Sequence, residues 1–89
     1  MVWRIDFDDV AIKDLARLDK QVARRLTAFL RERVAVLEDP RSLGEALKGS
    51  RFGNFWKYRV GDYRIICDID DGILRVLVVK IGNRREVYR

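Results

Sequence analysis

Lys57, Arg59 and Arg64 are the residues whose types and spacing point most directly to chemistry. They flank a Gly61-Asp62 pair, a two-residue hairpin signal in which a leading glycine suits a type II′ turn. A two-residue loop fixes the pairing: Val60 faces Tyr63, Arg59 faces Arg64, Tyr58 faces Ile65 and Lys57 faces Ile66. Side chains alternate along a strand. Lys57, Arg59, Arg64, Ile66 and Asp68 therefore share one face, and Trp56, Tyr58, Val60, Tyr63, Ile65, Cys67 and Ile69 share the other, a core face expected to pack on helices. Two arginines directly opposed cost a sheet up to about 1 kcal/mol. A bound phosphate offsets that repulsion, because arginine grips it bidentately. Asp68 could also screen the pair, leaving a plain hydrated surface.

The last residues add Arg84, Arg85, Tyr88 and Arg89, just beyond Gly82. A tyrosine there can stack on a nucleobase, worth about 1–3 kcal/mol, or simply pack against the sheet edge. With the cationic hairpin face, this segment points to a cleft that contacts RNA or DNA. The chain has no histidine and one cysteine, Cys67. Histidine general bases, serine–histidine triads, histidine or thiolate zinc sites and an internal disulfide are thereby excluded. Cys67 reads as a small core residue, and a reducing, cytoplasmic setting fits. No cofactor is implied.

These side chains need elements to position them. Trp3, Ile5 and Phe7 alternate with Arg4 and Asp6, a half-buried strand over residues 2–7. Asp8 and Asp9 offer an N-cap and first-turn charge. Leu15, Leu18, Val22, Leu26, Phe29, Leu30, Val34 and Leu37 then follow helical spacing. Asp19 divides them into a helical hairpin, and Pro40 ends the second helix by pushing Asp39 out of helical geometry. Arg17, Lys20, Arg24, Arg25 and Arg31 read as a solvated face. Residues 41–54 form a connection with one possible helical turn at Leu43, Ala46 and Leu47. Strands follow at Phe55 to Val60, Tyr63 to Asp70 and Ile73 to Ile81, the last two joined by Asp71-Gly72 as a two-residue type I′ turn. The expected fold is α+β, β-α-α-β-β-β, an antiparallel sheet packed on an N-terminal helical hairpin.

All 89 residues fit a single domain with one core, residues 1–89. Hydrophobic residues are 48% and charged residues 37%, the balance of a globular domain rather than a disordered segment. No apolar run reaches the roughly 18 residues of a membrane span, and the opening Met1-Val2-Trp3-Arg4 is not the pattern of a secretory leader. The net charge of +5 is uneven. Residues 1–47 balance nine basic against nine acidic side chains, whereas residues 48–89 carry ten against five. All the excess lies in the half that holds the cationic hairpin, which favours an anionic partner, nucleic acid first.

Three blocks in order, Leu47-Lys48-Gly49, Trp56-Lys57-Tyr58-Arg59-Val60-Gly61-Asp62-Tyr63-Arg64-Ile65 and Gly82-Asn83-Arg84-Arg85-Glu86-Val87-Tyr88, resemble the RelE family of toxin–antitoxin systems. The resemblance extends to the opening strand, the helical hairpin and the Asp39-Pro40 stop. It implies a toxin acting as a ribosome-dependent mRNA endoribonuclease (an mRNA interferase), which enters the ribosomal A site, cuts the exposed codon and so inhibits translation. The implied partners are a cognate RelB-like antitoxin, the ribosome with its mRNA, and operator DNA reached only through the antitoxin.

Lys57, Arg59, Arg64, Arg84 and Tyr88 fall on that family's functional positions. The implied reaction is attack of a ribose 2′-OH on the adjacent phosphate, giving a 2′,3′-cyclic phosphate and a free 5′-OH. It needs a base, charge stabilisation and an acid. Arg59 and Arg64 are expected to neutralise the phosphate. Lys57 is the expected base, its pKa lowered by the arginines, and Arg84 stabilises the leaving oxygen. Tyr88 stacks on or orients the nucleobase, though Lys57 and Tyr88 could exchange roles. Lys48, Arg51, Arg85 and Arg89 are expected RNA contacts. Two departures stand out: some members carry Lys in place of Arg59, and others His in place of Asn83. A further helix that some members carry after the final tyrosine has no counterpart, since the sequence stops at Arg89. Two rival readings are a ParE-like inhibitor of DNA gyrase, acting by protein binding without catalysis, and a protein that binds RNA or ribosomes without cutting.

Overall fold

The computed structural model describes residues 2–47 and 55–83. Strand β1 (Arg4–Phe7) leads into helix α1 (Asp9–Arg17) and helix α2 (Lys20–Phe29). Helix α2 continues as a π-helical turn, Leu30–Val34, and a 3-10 turn follows at Pro40–Ser42. The remaining strands are β2 (Glu45–Ala46), β3 (Phe55–Val60), β4 (Tyr63–Asp70) and β5 (Arg75–Asn83). Together the strands form one sheet in the order β1-β5-β4-β3-β2.

Local signals account for the helices. The Asp8 carboxylate accepts from the Ala11 amide at 3.1 Å and caps α1. Asp19 occupies the N-cap of α2 as expected, but its side chain makes no capping bond. Pro40 sits at the start of the 3-10 turn, with Asp39 extended at φ −128° and its carboxylate capping Arg41 N–H. The apolar stripe lands where its spacing predicts: Leu26, Leu30 and Val34 are fully buried. They pack against Tyr58, Val60, Ile65, Cys67 and Ile69, with Trp56 and Tyr63 half-buried at the margin. That is the hairpin face assigned to the core. Cys67 lies inside it, and burial raises its thiol pKa, which makes it inert. The Tyr58 hydroxyl, also raised by burial, donates to the Pro40 carbonyl at 2.7 Å.

The structure departs from the sequence-based expectation in the second helix, which ends at Val34 rather than at Asp39, so that Pro40 starts a separate 3-10 turn and does not end the helix. Three more departures concern the sheet and its connections. First, β1 pairs with β5 in parallel (Ile5 with Val76, Phe7 with Val78), so one edge of an otherwise antiparallel sheet is reversed. The helical hairpin returns the chain across the sheet and leaves β1 beside β5 instead of β3. Second, no helical turn forms at Leu43, Ala46 and Leu47. Glu45 and Ala46 pair with Lys57 and Trp56 as β2, because this stretch gains more by satisfying the β3 edge than by an isolated turn. Third, the β4–β5 connection is not a two-residue turn at Asp71-Gly72. Asp70 pairs with Arg75 across a four-residue loop in which Leu74, not Gly72, takes the left-handed conformation at φ 50°. The Asp70 carboxylate accepts from Gly72 N–H at 2.9 Å, and Arg41 clamps Asp71 through two hydrogen bonds of 3.0 and 2.9 Å. Leu74 packs on the core, which holds a conformation that its Cβ disfavours.

Candidate nucleic-acid cleft on the cationic strand pair

The β3–β4 register is the one the turn dictates: Val60 with Tyr63, Arg59 with Arg64, Tyr58 with Ile65, Lys57 with Ile66. Gly61 has φ 59° while Asp62 stays out of the left-handed region, as a II′ turn requires. Lys57, Arg59 and Arg64 therefore stand together. They line one cleft of about 740 Å³, whose other walls are Phe29, Arg33, Leu43, Gly44, Glu45 and Tyr58.

The two opposed arginines differ in freedom. Arg64 is only 8% exposed, and its guanidinium donates to the Tyr63 carbonyl at 3.1 Å and to the Gly61 carbonyl at 3.5 Å. The turn thus holds one cation in place, and a fixed donor loses little on meeting developing charge. Arg59 is exposed and makes no ion pair among the described residues. Lys57 is largely covered, at 23% side-chain exposure, and its Nζ lies 3.4 Å from Glu45 Oε1. The amine thus sits between arginines and one carboxylate, not among cations alone.

Gly44 explains how Glu45 arrives there. Its φ is +79°, and a Cβ at this position would collide with the Lys57 carbonyl oxygen and come within 2.8 Å of the Trp56 and Tyr58 rings. Only glycine lets the chain lie this close to β3. Trp56 Nε1 donates to the Leu43 carbonyl at 2.7 Å and fastens the same segment.

A profile described as the ParE toxin of type II toxin–antitoxin systems matches residues 5–88. Toxin RelE of Mycobacterium tuberculosis is 35% identical over 87 residues, covering 98% of this chain and 87% of its own. The Escherichia coli mRNA interferase toxin RelE is 33% identical over 90 residues, 99% of this chain and 92% of its own. The chain belongs to the RelE family of the RelE/ParE toxin superfamily. The crystal structure of the intact E. coli RelBE toxin–antitoxin complex matches this RelE-family toxin with a TM-score of 0.72 at 29% identity, over 91% of this chain and 95% of the other.

Of the site residues expected for this RelE-family toxin, the fold brings Lys57, Arg59 and Arg64 to one cleft. Lys48, Arg51, Arg84, Arg85, Tyr88 and Arg89 lie outside the described residues. Asn83 closes β5 opposite Tyr63. Sequence reasoning missed Glu45 and Arg33. A two-residue strand has no periodicity to reveal Glu45. Arg33 did carry a signal, since it follows Phe29 by four residues and so shares its side of the helix. Among the described residues no group of acidic and thiol side chains could hold a metal ion, and no helix is long and apolar enough to cross a membrane.

Proposed function

We propose that this RelE-family toxin is an mRNA endoribonuclease that cuts translated message in the ribosomal A site. One observation carries it: the register that sets Arg59 opposite Arg64 with Lys57 beside them in a single cleft. The name of the E. coli relative, an mRNA interferase, supports the same reading. A ribosomal target places the work in the cytoplasm.

The reaction is an internal transesterification. The ribose 2′-oxygen bonds to phosphorus, its proton passes to a base, and the bond to the 5′-oxygen breaks as that oxygen takes a proton from water. Arg64, held by the turn carbonyls, offers a preset charge to the phosphorane-like state. Arg59 closes on the same phosphate from the facing strand. Lys57 is the base for the 2′-OH, a role that arginine cannot fill and no histidine is present to take, and Tyr88 is the residue that could exchange roles with it. Arg84 stabilises the leaving oxygen and Tyr88 orients the nucleobase. Lys48, Arg51, Arg85 and Arg89 extend the contact along the backbone. A RelB-like antitoxin is the partner that silences the toxin, as the RelBE complex of the E. coli relative supports; contact with operator DNA runs through that antitoxin.

Primer extension on actively translated mRNA tests the proposal. New 5′ ends within codons are expected with the unsubstituted chain and are lost with Lys57→Ala and Arg64→Ala. Lys57→Arg separates base from bystander: it keeps the charge but cannot take a proton, so cleavage stays lost. Full cleavage by Arg64→Ala overturns the assignment. DNA breaks and an SOS response without mRNA ends would turn it into a gyrase inhibitor, a reading the ParE profile name alone favours.

A further inference from the structure

The cleft has a second wall. Arg25, Phe29 and Arg33 recur at four-residue spacing along α2 and its π-helical turn. The row runs beside β3. A Cβ on Gly61 would stand 3.4 Å from the Arg25 guanidinium, the Phe29 ring meets Tyr58 edge-on at 5.9 Å, and Arg33 opens into the cleft of Lys57, Arg59 and Arg64. The turn that carries Arg33 is closed by the Ala35 amide donating to the Leu30 carbonyl at 2.8 Å, five residues back. This widened last turn ends the helix at the cleft rim.

Arg33 is exposed, and among the described residues it makes no hydrogen bond or ion pair. Among the described residues lining the cleft, Glu45 is the one carboxylate, and it pairs with Lys57. Among the described residues, the helix wall thus offers a guanidinium with no counter-charge across from the sheet wall.

We propose that Arg33 is a phosphate contact for single-stranded RNA, gripping a phosphodiester next to the one held by Arg59 and Arg64. This rests on the nuclease reading above. An RNA strand fits better than an acidic peptide because Arg33 shares one continuous cleft with the groups assigned to the scissile phosphate. Backbone contacts of this kind set register and affinity without reading bases, so Arg33 takes no part in bond making.

The probe is a short 2′-O-methyl oligoribonucleotide, which lacks the attacking hydroxyl and is not cut. Its binding to the full chain is followed by fluorescence anisotropy between about 50 and 200 mM salt. Each phosphate contact to a single strand adds about 0.7 to the slope of log affinity against log salt, so Arg33→Ala should weaken across that range about threefold less than the unsubstituted chain. Arg33→Lys should restore the slope. Arg31→Ala, exposed on a different groove of the same helix beside Ala23 and Arg24, should leave it unchanged. An Arg33→Ala slope equal to that of Arg31→Ala overturns the proposal. If Arg64→Ala flattens the slope while Arg33→Ala does not, only the Arg33 assignment fails. If neither does, or the unsubstituted chain shows no salt-dependent binding, the Arg33 proposal fails as well, and the nuclease reading fails with it only if primer extension on translated mRNA also shows no new 5′ ends.

Discussion

The Asp14 carboxylate on α1 accepts a hydrogen bond from the Ile81 amide of β5 at 2.9 Å, 67 residues away in sequence. Strand β1 covers the outer edge of β5 only as far as Val78. Beyond it, a buried side chain does the work of a missing strand, with Lys80 Nζ 3.9 Å from the same carboxylate oxygen. Removing the acceptor leaves a buried N–H without a partner, a loss of about 1–3 kcal/mol. Asp14→Ala should therefore lower the urea midpoint clearly, and Asp14→Asn, which keeps an acceptor oxygen, should lower it less. Equal losses in the two variants would mean that charge, not the hydrogen bond, matters here.

Arg59 should trade stability for activity. It faces Arg64 directly, and like charges so placed cost up to about 1 kcal/mol. Arg59→Gln is expected to raise the thermal midpoint slightly while cleavage of ribosome-bound mRNA drops about 100-fold, the lower end for loss of one charge-stabilising donor. The gain in stability should shrink in high salt as the repulsion is screened. A variant less stable than the parent at low salt would refute the repulsion.

Gly44 should tolerate no side chain. Its positive φ and the nearby Lys57 carbonyl both oppose a Cβ. Gly44→Ala should destabilise by more than about 1 kcal/mol, and should also displace Glu45 from Lys57. Denaturation curves paired with a cleavage assay check this, with both readouts expected to fall together.

Acid should weaken the clamp on the β4–β5 loop. The hydrogen bonds from Arg41, reinforced by its charge, hold the Asp71 carboxyl below its ordinary value. A lowered pKa means that the stabilisation is complete above the unfolded value of about 3.9 and fades as pH falls through the folded one. The pair is exposed, so the effect is small and salt-sensitive. The stability difference between the parent and Asp71→Asn should hold steady from neutral pH to about pH 5 and narrow below about pH 4. A difference independent of pH down to that point would show that Asp71 acts without its charge.

Short-range chemistry is legible in the order of the residues. Gly61-Asp62 sets a turn of one hand, the turn sets the register, and the register puts Arg59 against Arg64 and Tyr58 into the core. Asp8 caps the helix that follows it, and the spacing from Leu26 to Val34 names the buried stripe. Those outcomes need only neighbours in the chain and a period of two or four.

Every other feature depends on which distant edge or cavity lies within reach. Strand β1 could have paired with any free edge and runs parallel to β5. Glu45 and Ala46 became a strand because β3 offered unpaired groups, which carried Glu45 to Lys57. Leu74, rather than the glycine two residues earlier, bends left-handed because the core holds its side chain while Asp70 and Arg41 restrain the loop. The spacing from Phe29 puts Arg33 on one side of its helix, but only the packing of that helix on the sheet brings it to the cleft. Local preferences in these segments differ by less than about 1 kcal/mol, so packing and long-range hydrogen bonds outweigh them.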